Sequence, residues 1–224
     1  RVAVQGGSAY LKIADGCRRP CAFCTIPLIK GTHVSRAPKL IIAEAQRLQA
    51  MGIRELVLIS QDTTDYGHDL GMKNGLVQLL EKLVAAAPDI PWIRIMYAYP
   101  GYVSNELIET IARHPQILPY LDMPLQHGHP QTLKRMKRPA NLEWVNSTIQ
   151  RMRATIPDLA IRSTFIVGYP GETEGEFQVL LDFVRALKFD RVGAFEFSFE
   201  TGTASEPLGD PIPQPIKAER LRRL

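Results

Sequence analysis

Tyr10-Leu11-Lys12-Ile13-Ala14-Asp15-Gly16-Cys17-Arg18-Arg19-Pro20-Cys21-Ala22-Phe23-Cys24 is the stretch on which the fold turns. Residues 9–14 are a short apolar run that reads as a strand. In dinucleotide-binding α/β folds the turn after the first strand carries Gly-x-Gly-x-x-Gly, so that a pyrophosphate can approach the backbone. Here a C-x3-C-x2-C loop takes that place, and it holds all three cysteines of the chain. An odd count, with nothing resembling a secretory leader, argues against a disulfide framework. A cubane iron–sulfur cluster normally takes four thiolates. Three leave one iron without a protein ligand, and an open metal position can bind a substrate or cofactor. A structural zinc site is the competing reading, with His33, nine residues after Cys24, as its fourth ligand.

Working outward, strand-like and helix-like segments alternate. Strands are expected at 9–14, 55–60, 92–97, 120–123, 159–167 and 191–197. Helices are expected at 39–51, 76–86, 105–113, 142–156 and 174–187, each with apolar residues at helical spacing; Gly52 and Ser104 are their clearest caps. Right-handed strand–helix–strand crossovers give a parallel sheet. The strands read as apolar on both faces. A flat doubly wound sheet and a curved one both fit, and the missing glycine fingerprint favours the curved one. The expected fold is α/β, a partial (β/α)6 TIM-like barrel. Residues 9–201 form this core, 1–8 a linker, and 202–224 a Gly/Pro-rich linker running into the start of a helix. The opening Arg1-Val2 and the helix-like end suggest a domain cut from a longer protein.

In α/β barrels the chemistry sits at the carboxyl ends of the strands. Each expected strand is followed there by polar and aromatic residues: the cysteine loop, then 61–67, 97–100, 124–129, 168–173 and 198–203. Plainer readings stand beside the functional one. Pro170-Gly171 with Thr173 suits an ordinary turn and helix cap. His127 and His129 are a metal pair or solvated filler. Residues 134–138, Lys-Arg-Met-Lys-Arg, grip a phosphate backbone or form a solvated face.

Composition sets the outer bounds. At 224 residues, 45% hydrophobic and 22% charged, the chain is ordinary for a globular protein of barrel size. No apolar run approaches the roughly 20 residues of a membrane span. Free thiols point to a reducing cytoplasm. A net charge of +4 permits a nucleic-acid or ribosomal partner without demanding one.

The cysteine motif with Phe23 resembles that of the radical S-adenosylmethionine (SAM) enzymes. Within them the chain is similar to the methylthiotransferases, through residues 10–17, Lys30-Gly31, Ser35-Arg36, Pro124-Leu125-Gln126 and 165–173. Gln61-Asp62-Thr63-Thr64-Asp65-Tyr66-Gly67 and Asp122-Met123-Pro124-Leu125-Gln126-His127-Gly128 resemble the branch that modifies an aspartate β-carbon in a small-subunit ribosomal protein. His129 stands where a serine is common in that family, and Phe199 where an acidic residue or proline is. The resemblance implies one 4Fe-4S cluster on Cys17, Cys21 and Cys24, with SAM on its open iron. It places Phe23 along the adenine and Gln61 and Asp62 near the methionine amino group. Gln126 would lie near the ribose, Arg162 near the carboxylate, and Ile166 to Gly168 behind the adenine. It also implies a second 4Fe-4S cluster in an N-terminal domain outside this chain, a ribosomal protein as substrate, and a reductant protein as electron donor, with no membrane partner. A tRNA methylthiotransferase on the same scaffold is the nearest alternative. A non-catalytic Fe-S or zinc domain binding RNA is the alternative of another class.

Overall fold

The computed structural model describes residues 4–224. In chain order they form β1 (Val4–Gln5), β2 (Ser8–Lys12), β3 (Ala14–Asp15), α1 (Ile26–Lys30), β4 (Val34–Ser35), α2 (Pro38–Ala50), β5 (Glu55–Ile59), α3 (Gly75–Ala86), β6 (Trp92–Ile95), α4 (Asn105–Arg113), β7 (Ile117–Asp122), α5 (Pro130–Arg135), α6 (Leu142–Thr155), β8 (Ala160–Val167), α7 (Glu174–Leu187), β9 (Arg191–Glu196) and α8 (Gln214–Arg223).

The main sheet has seven strands in the order β1-β2-β5-β6-β7-β8-β9. All its neighbours are parallel except β1, which runs antiparallel along the outer edge of β2. The six parallel strands are those expected, and they make the sheet of a partial (β/α)6 barrel. A separate antiparallel pair joins β3 to β4, with Ala14 opposite Ser35 and Asp15 opposite Val34. It closes the base of the cysteine loop.

Each long helix forms because its apolar residues fall on one face. α2 buries Ile41, Ala45 and Leu48, and α3 buries Leu76, Leu79, Leu80 and Leu83. Ser104 caps α4 by accepting from Leu107 N at 3.2 Å, and Thr173 and Glu176 form a reciprocal capping box on α7. α2 ends where Gly52, at φ +80°, lets Ile53 N donate to Leu48 O at 3.1 Å.

Two expectations need correction. The strands are not all apolar on both faces: β5 is, with Leu56, Val57 and Leu58 buried in succession, but others are not. On β8, Ile161, Ser163, Phe165 and Val167 are buried under the helices, while Arg162, Thr164 and Ile166 alternate with them and stay half-open. Six strands do not close a barrel, so the face away from the helices remains open and takes polar residues. Second, β7 begins at Ile117 and contains Pro119. Its register slips by two residues against β6, from Ile93↔Ile117 to Ile95↔Leu121, because Pro119 has no N–H to give the ladder. The flanks pack too, and the helix expected at the end of the tail is α8. Residues 1–3 lie outside the described residues, but Val4 and Gln5 pair with Ala9 and Ser8. At the other end α8 lies against β8 and β9 with Lys217 and Arg220 buried. Lys217 Nζ donates to Phe197 O at 3.1 Å, and Arg220 Nη1 donates to Glu172 Oε1 at 2.7 Å. The composition of the tail gives no hint that these two cations have partners waiting.

Candidate cofactor site at the barrel rim

The cysteine loop is fixed from three sides. At its start Gly16 has φ +72°, and a Cβ there would stand 2.1 Å from Thr32 O, so only glycine fits. Cys17 N then donates to Gly31 O at 3.1 Å. From behind, Arg18 and Arg19 reach into the segment after β5. Arg18 grips Asp65 with two bonds of 2.7 Å. Arg19 Nε donates to Asp62 Oδ2 at 2.6 Å, and its guanidinium lies 3.7 Å from the Tyr102 ring centroid and 4.6 Å from that of Tyr99. Burial pushes the Asp65 carboxyl up, but the Arg18 bonds and the Arg19 charge outweigh it and hold the group below its ordinary value. On the third side Ala22 N donates to Met136 O at 2.9 Å, just beyond α5.

The three thiols share one cavity of about 360 Å³ with Phe23, Gln61 and Gln126. A second cavity of about 420 Å³ shares Phe23, Cys24 and Gln126 with it and adds Ile166. Together they have the size of an ordinary cofactor pocket. Cys17 Sγ accepts from Arg19 N at 3.4 Å, and Cys21 Sγ accepts from Arg138 Nη1 at 3.4 Å. Burial pushes the Cys17 and Cys24 thiols up.

Two features of the lining point to a missing ligand. Gln61 Oε1 and Gln126 Oε1 are buried and have no hydrogen-bond partner. Such an atom costs about 1–3 kcal/mol unless something donates to it. Gln126 and Tyr97, both in the wall, have φ of +73° and +57°. Non-glycine residues in that region are strained, and strain of this kind gathers at functional sites. Gln126 is held there by β8: its N donates to Thr164 O at 2.8 Å and its O accepts from Ile166 N at 2.9 Å. Three thiols, two orphaned amide oxygens and an aromatic wall fit a three-thiolate cluster with an organic cofactor beside it.

Other candidates sit elsewhere. Asp62 is 1% exposed and is spent on Arg19 and on Thr64 N, which donates to it at 2.9 Å. Arg162 Nη1 donates to Asp122 Oδ1 at 2.8 Å, and Arg162 is outside the lining of both cavities. Gly168 N donates to both carboxylate oxygens of Glu172 at 3.1 Å, also outside that lining. His33 Nε2 is 3.3 Å from Ser35 Oγ, and its Nδ1 is 4.0 Å from Asp65. Among the described residues no three His, Cys, Asp or Glu side chains converge on a single metal ion. His127 and His129 are not a metal pair. His129 N donates to His127 Nδ1 at 2.9 Å, which leaves Nε2 to donate to Glu172 at 3.2 Å. The basic run is broken up: Arg135 pairs with Glu176 at 2.7 Å and Arg138 is buried, leaving Lys134 and Lys137 exposed. Arg19, Tyr99 and Arg138 are site residues the sequence does not announce. Arg138 hides in that run, and the two-tyrosine rim segment at 97–100 is the one signal for Tyr99.

Residues 11–184 match the family described as the Radical SAM superfamily. Ribosomal protein uS12 methylthiotransferase RimO of Roseiflexus sp. (strain RS-1) is 53% identical over 220 residues, covering 98% of this chain and 47% of the relative. The protein of the same name from Chloroflexus aurantiacus is 55% identical over 214 residues, covering 95% and 47%. The chain thus spans about half the length of these curated relatives. Among solved structures, the radical S-adenosylmethionine methyltransferase TsrM from Kitasatospora setae, with cobalamin and a [4Fe-4S] cluster bound, superposes with a TM-score of 0.72 at 18% identity, over 88% of this chain and 38% of that one. At that identity the likeness concerns the fold. Among the described residues no helix is long and apolar enough to cross a membrane.

Proposed function

We propose a function from one premise: the chain belongs to the Radical SAM superfamily. It is the radical-generating core of a cytoplasmic methylthiotransferase whose target is an aspartate β-carbon in ribosomal protein uS12. The relatives of that name support the target, and the three cysteines on one cavity wall carry the chemistry. Cys17, Cys21 and Cys24 would hold a four-iron cluster and leave one iron open to SAM; together these groups supply a carbon radical strong enough to take hydrogen from an unactivated carbon, work no side chain does alone.

The chain's own residues bind, orient and exclude water. Gln61 and Gln126 present amide oxygens to the amino and hydroxyl donors of SAM, which gives both orphaned atoms a partner. Phe23 offers its ring to the adenine and Ile166 an apolar backing, which keeps water from the reacting centre. Asp62 acts through Arg19, as part of the brace behind the cysteine loop. By family resemblance the sulfur to be inserted resides on a second cluster in a further domain, and a reductant protein delivers the electron.

The test has two parts. Reconstituted without oxygen and given reductant, this chain cleaves SAM to 5′-deoxyadenosine and methionine, yet does not methylthiolate uS12. The whole parent protein adds a methylthio mass to the uS12 aspartate. No SAM cleavage by the loaded chain would remove the radical reading. A mass shift on tRNA and none on uS12 would remove the target.

A further inference from the structure

Arg138 is a buried cation without a counter-ion. It is 8% exposed, and among the described residues no Asp or Glu oxygen lies within 4.0 Å of it, although Arg18, Arg19, Arg135, Arg162 and Arg220 all pair with carboxylates. A buried guanidinium left unpaired is costly, so an anion is expected beside it. The nearest candidate is the sulfur of Cys21 once it ligates a cluster. Arg138 Nη1 donates to Cys21 Sγ at 3.4 Å, its Nη2 to Pro124 O, and its Nε has no partner. The Tyr99 ring lies flush against it, 4.1 Å from Cζ to the centroid. The backbone aims it there deliberately: Lys137 takes φ +52° just after α5, and Arg138 N turns back to Leu133 O at 2.8 Å.

We propose that Arg138 is a positioning residue that raises the reduction potential of the cluster held through Cys21. The proposal rests on the cluster reading given above. Adding an electron makes the cluster more negative and its sulfurs better acceptors. A fixed positive donor on one sulfur therefore stabilises the reduced form more than the oxidised one. Burial keeps the surroundings at low dielectric, which magnifies the difference. Tyr99 and Pro124 hold the guanidinium in place whether or not the cluster is reduced, so little reorganisation accompanies the electron.

The test is a dye-mediated redox titration, followed by electron paramagnetic resonance, of this chain reconstituted without SAM. Wild type, Arg138→Met and Arg138→Lys are compared after their iron and sulfide contents are measured. Arg138→Met loads as wild type does and has a more negative midpoint; Arg138→Lys falls between the two. If Arg138→Met loads poorly, Arg138→Lys decides, because an ammonium cannot reach both Pro124 O and Cys21 Sγ with a planar fork, and its midpoint must still be displaced to the negative side. A loaded variant with the wild-type midpoint overturns the proposal, and Arg138 is then structural or serves the carboxylate of SAM. If wild type itself loads no cluster, the cysteine reading fails and this inference falls with it.

Discussion

Gln126 combines two unfavourable features, a φ of +73° and a buried amide oxygen with no hydrogen-bond partner. A ligand that donates to that oxygen offsets the second. Gln126→Ala should therefore weaken SAM by about 0.5–1.5 kcal/mol, roughly 2–12-fold in Kd, with iron content unchanged. Calorimetric titration of the reconstituted chain checks this, and an unaltered Kd would take Gln126 out of the pocket. Arg19 invites the opposite kind of substitution. It answers two buried carboxylates, Asp62 and Asp65, from a position 6% exposed. Arg19→Met leaves Asp62 with no cation and should cost about 3–5 kcal/mol in a denaturant titration. A cost below about 1 kcal/mol would mean that Arg18 alone neutralises the pair.

At the scale of elements, α8 is the part whose docking most needs testing. Its Lys217 stem lies over Gly168, where a Cβ would stand 2.5 Å from Lys217 Cγ at a φ of +73°. Gly168→Ala should then cost about 1–3 kcal/mol and loosen α8 first. Hydrogen exchange reads this directly, as faster exchange across 214–223 with α2 and α3 unaffected; uniform exchange throughout would contradict it. The main helices were legible because their apolar faces and caps are local: Ser104 and Thr173 announce α4 and α7 within four residues. α1 and α5 were not, being five and six residues long, too short to show an apolar face; α1 buries no residue and α5 only Thr132 and Leu133. β7 shows the same limit, since nothing at Pro119 tells a reader of sequence that the neighbouring strand will tolerate a slipped register.

For the whole molecule, the rim could be read from sequence because barrel topology gathers the strand ends on one side. Phe23, Gln61 and Gln126, set beside the cysteines by that topology together with the family resemblance, line the same cavity as the three thiols. The topology could not tell a residue that faces the cavity from one that braces it: Asp62, expected near the methionine amino group, is held by Arg19, and Arg138, read only as part of a basic run, lies against Cys21. The braces also set the response to acid. Lys12 and then Lys30 hold the Asp15 carboxyl down at about 2, and Asp65 is likewise below its ordinary value. A depressed carboxyl stabilises the fold above its unfolded value near 3.8 and loses that contribution as pH falls toward its folded value. The melting temperature should hold from neutrality down to about pH 4 and drop between about 4 and 2, with Asp65→Asn showing a shallower drop. A flat profile to pH 2 would show that these pairs contribute nothing. The central claim is that Cys17, Cys21 and Cys24 hold a four-iron cluster, and iron and labile sulfide counted per chain after anaerobic reconstitution test it most directly. The account predicts about four of each in the wild-type chain and none in the variant with all three cysteines changed to alanine. A single zinc in the wild type, or iron and sulfide retained by the triple variant, would contradict it.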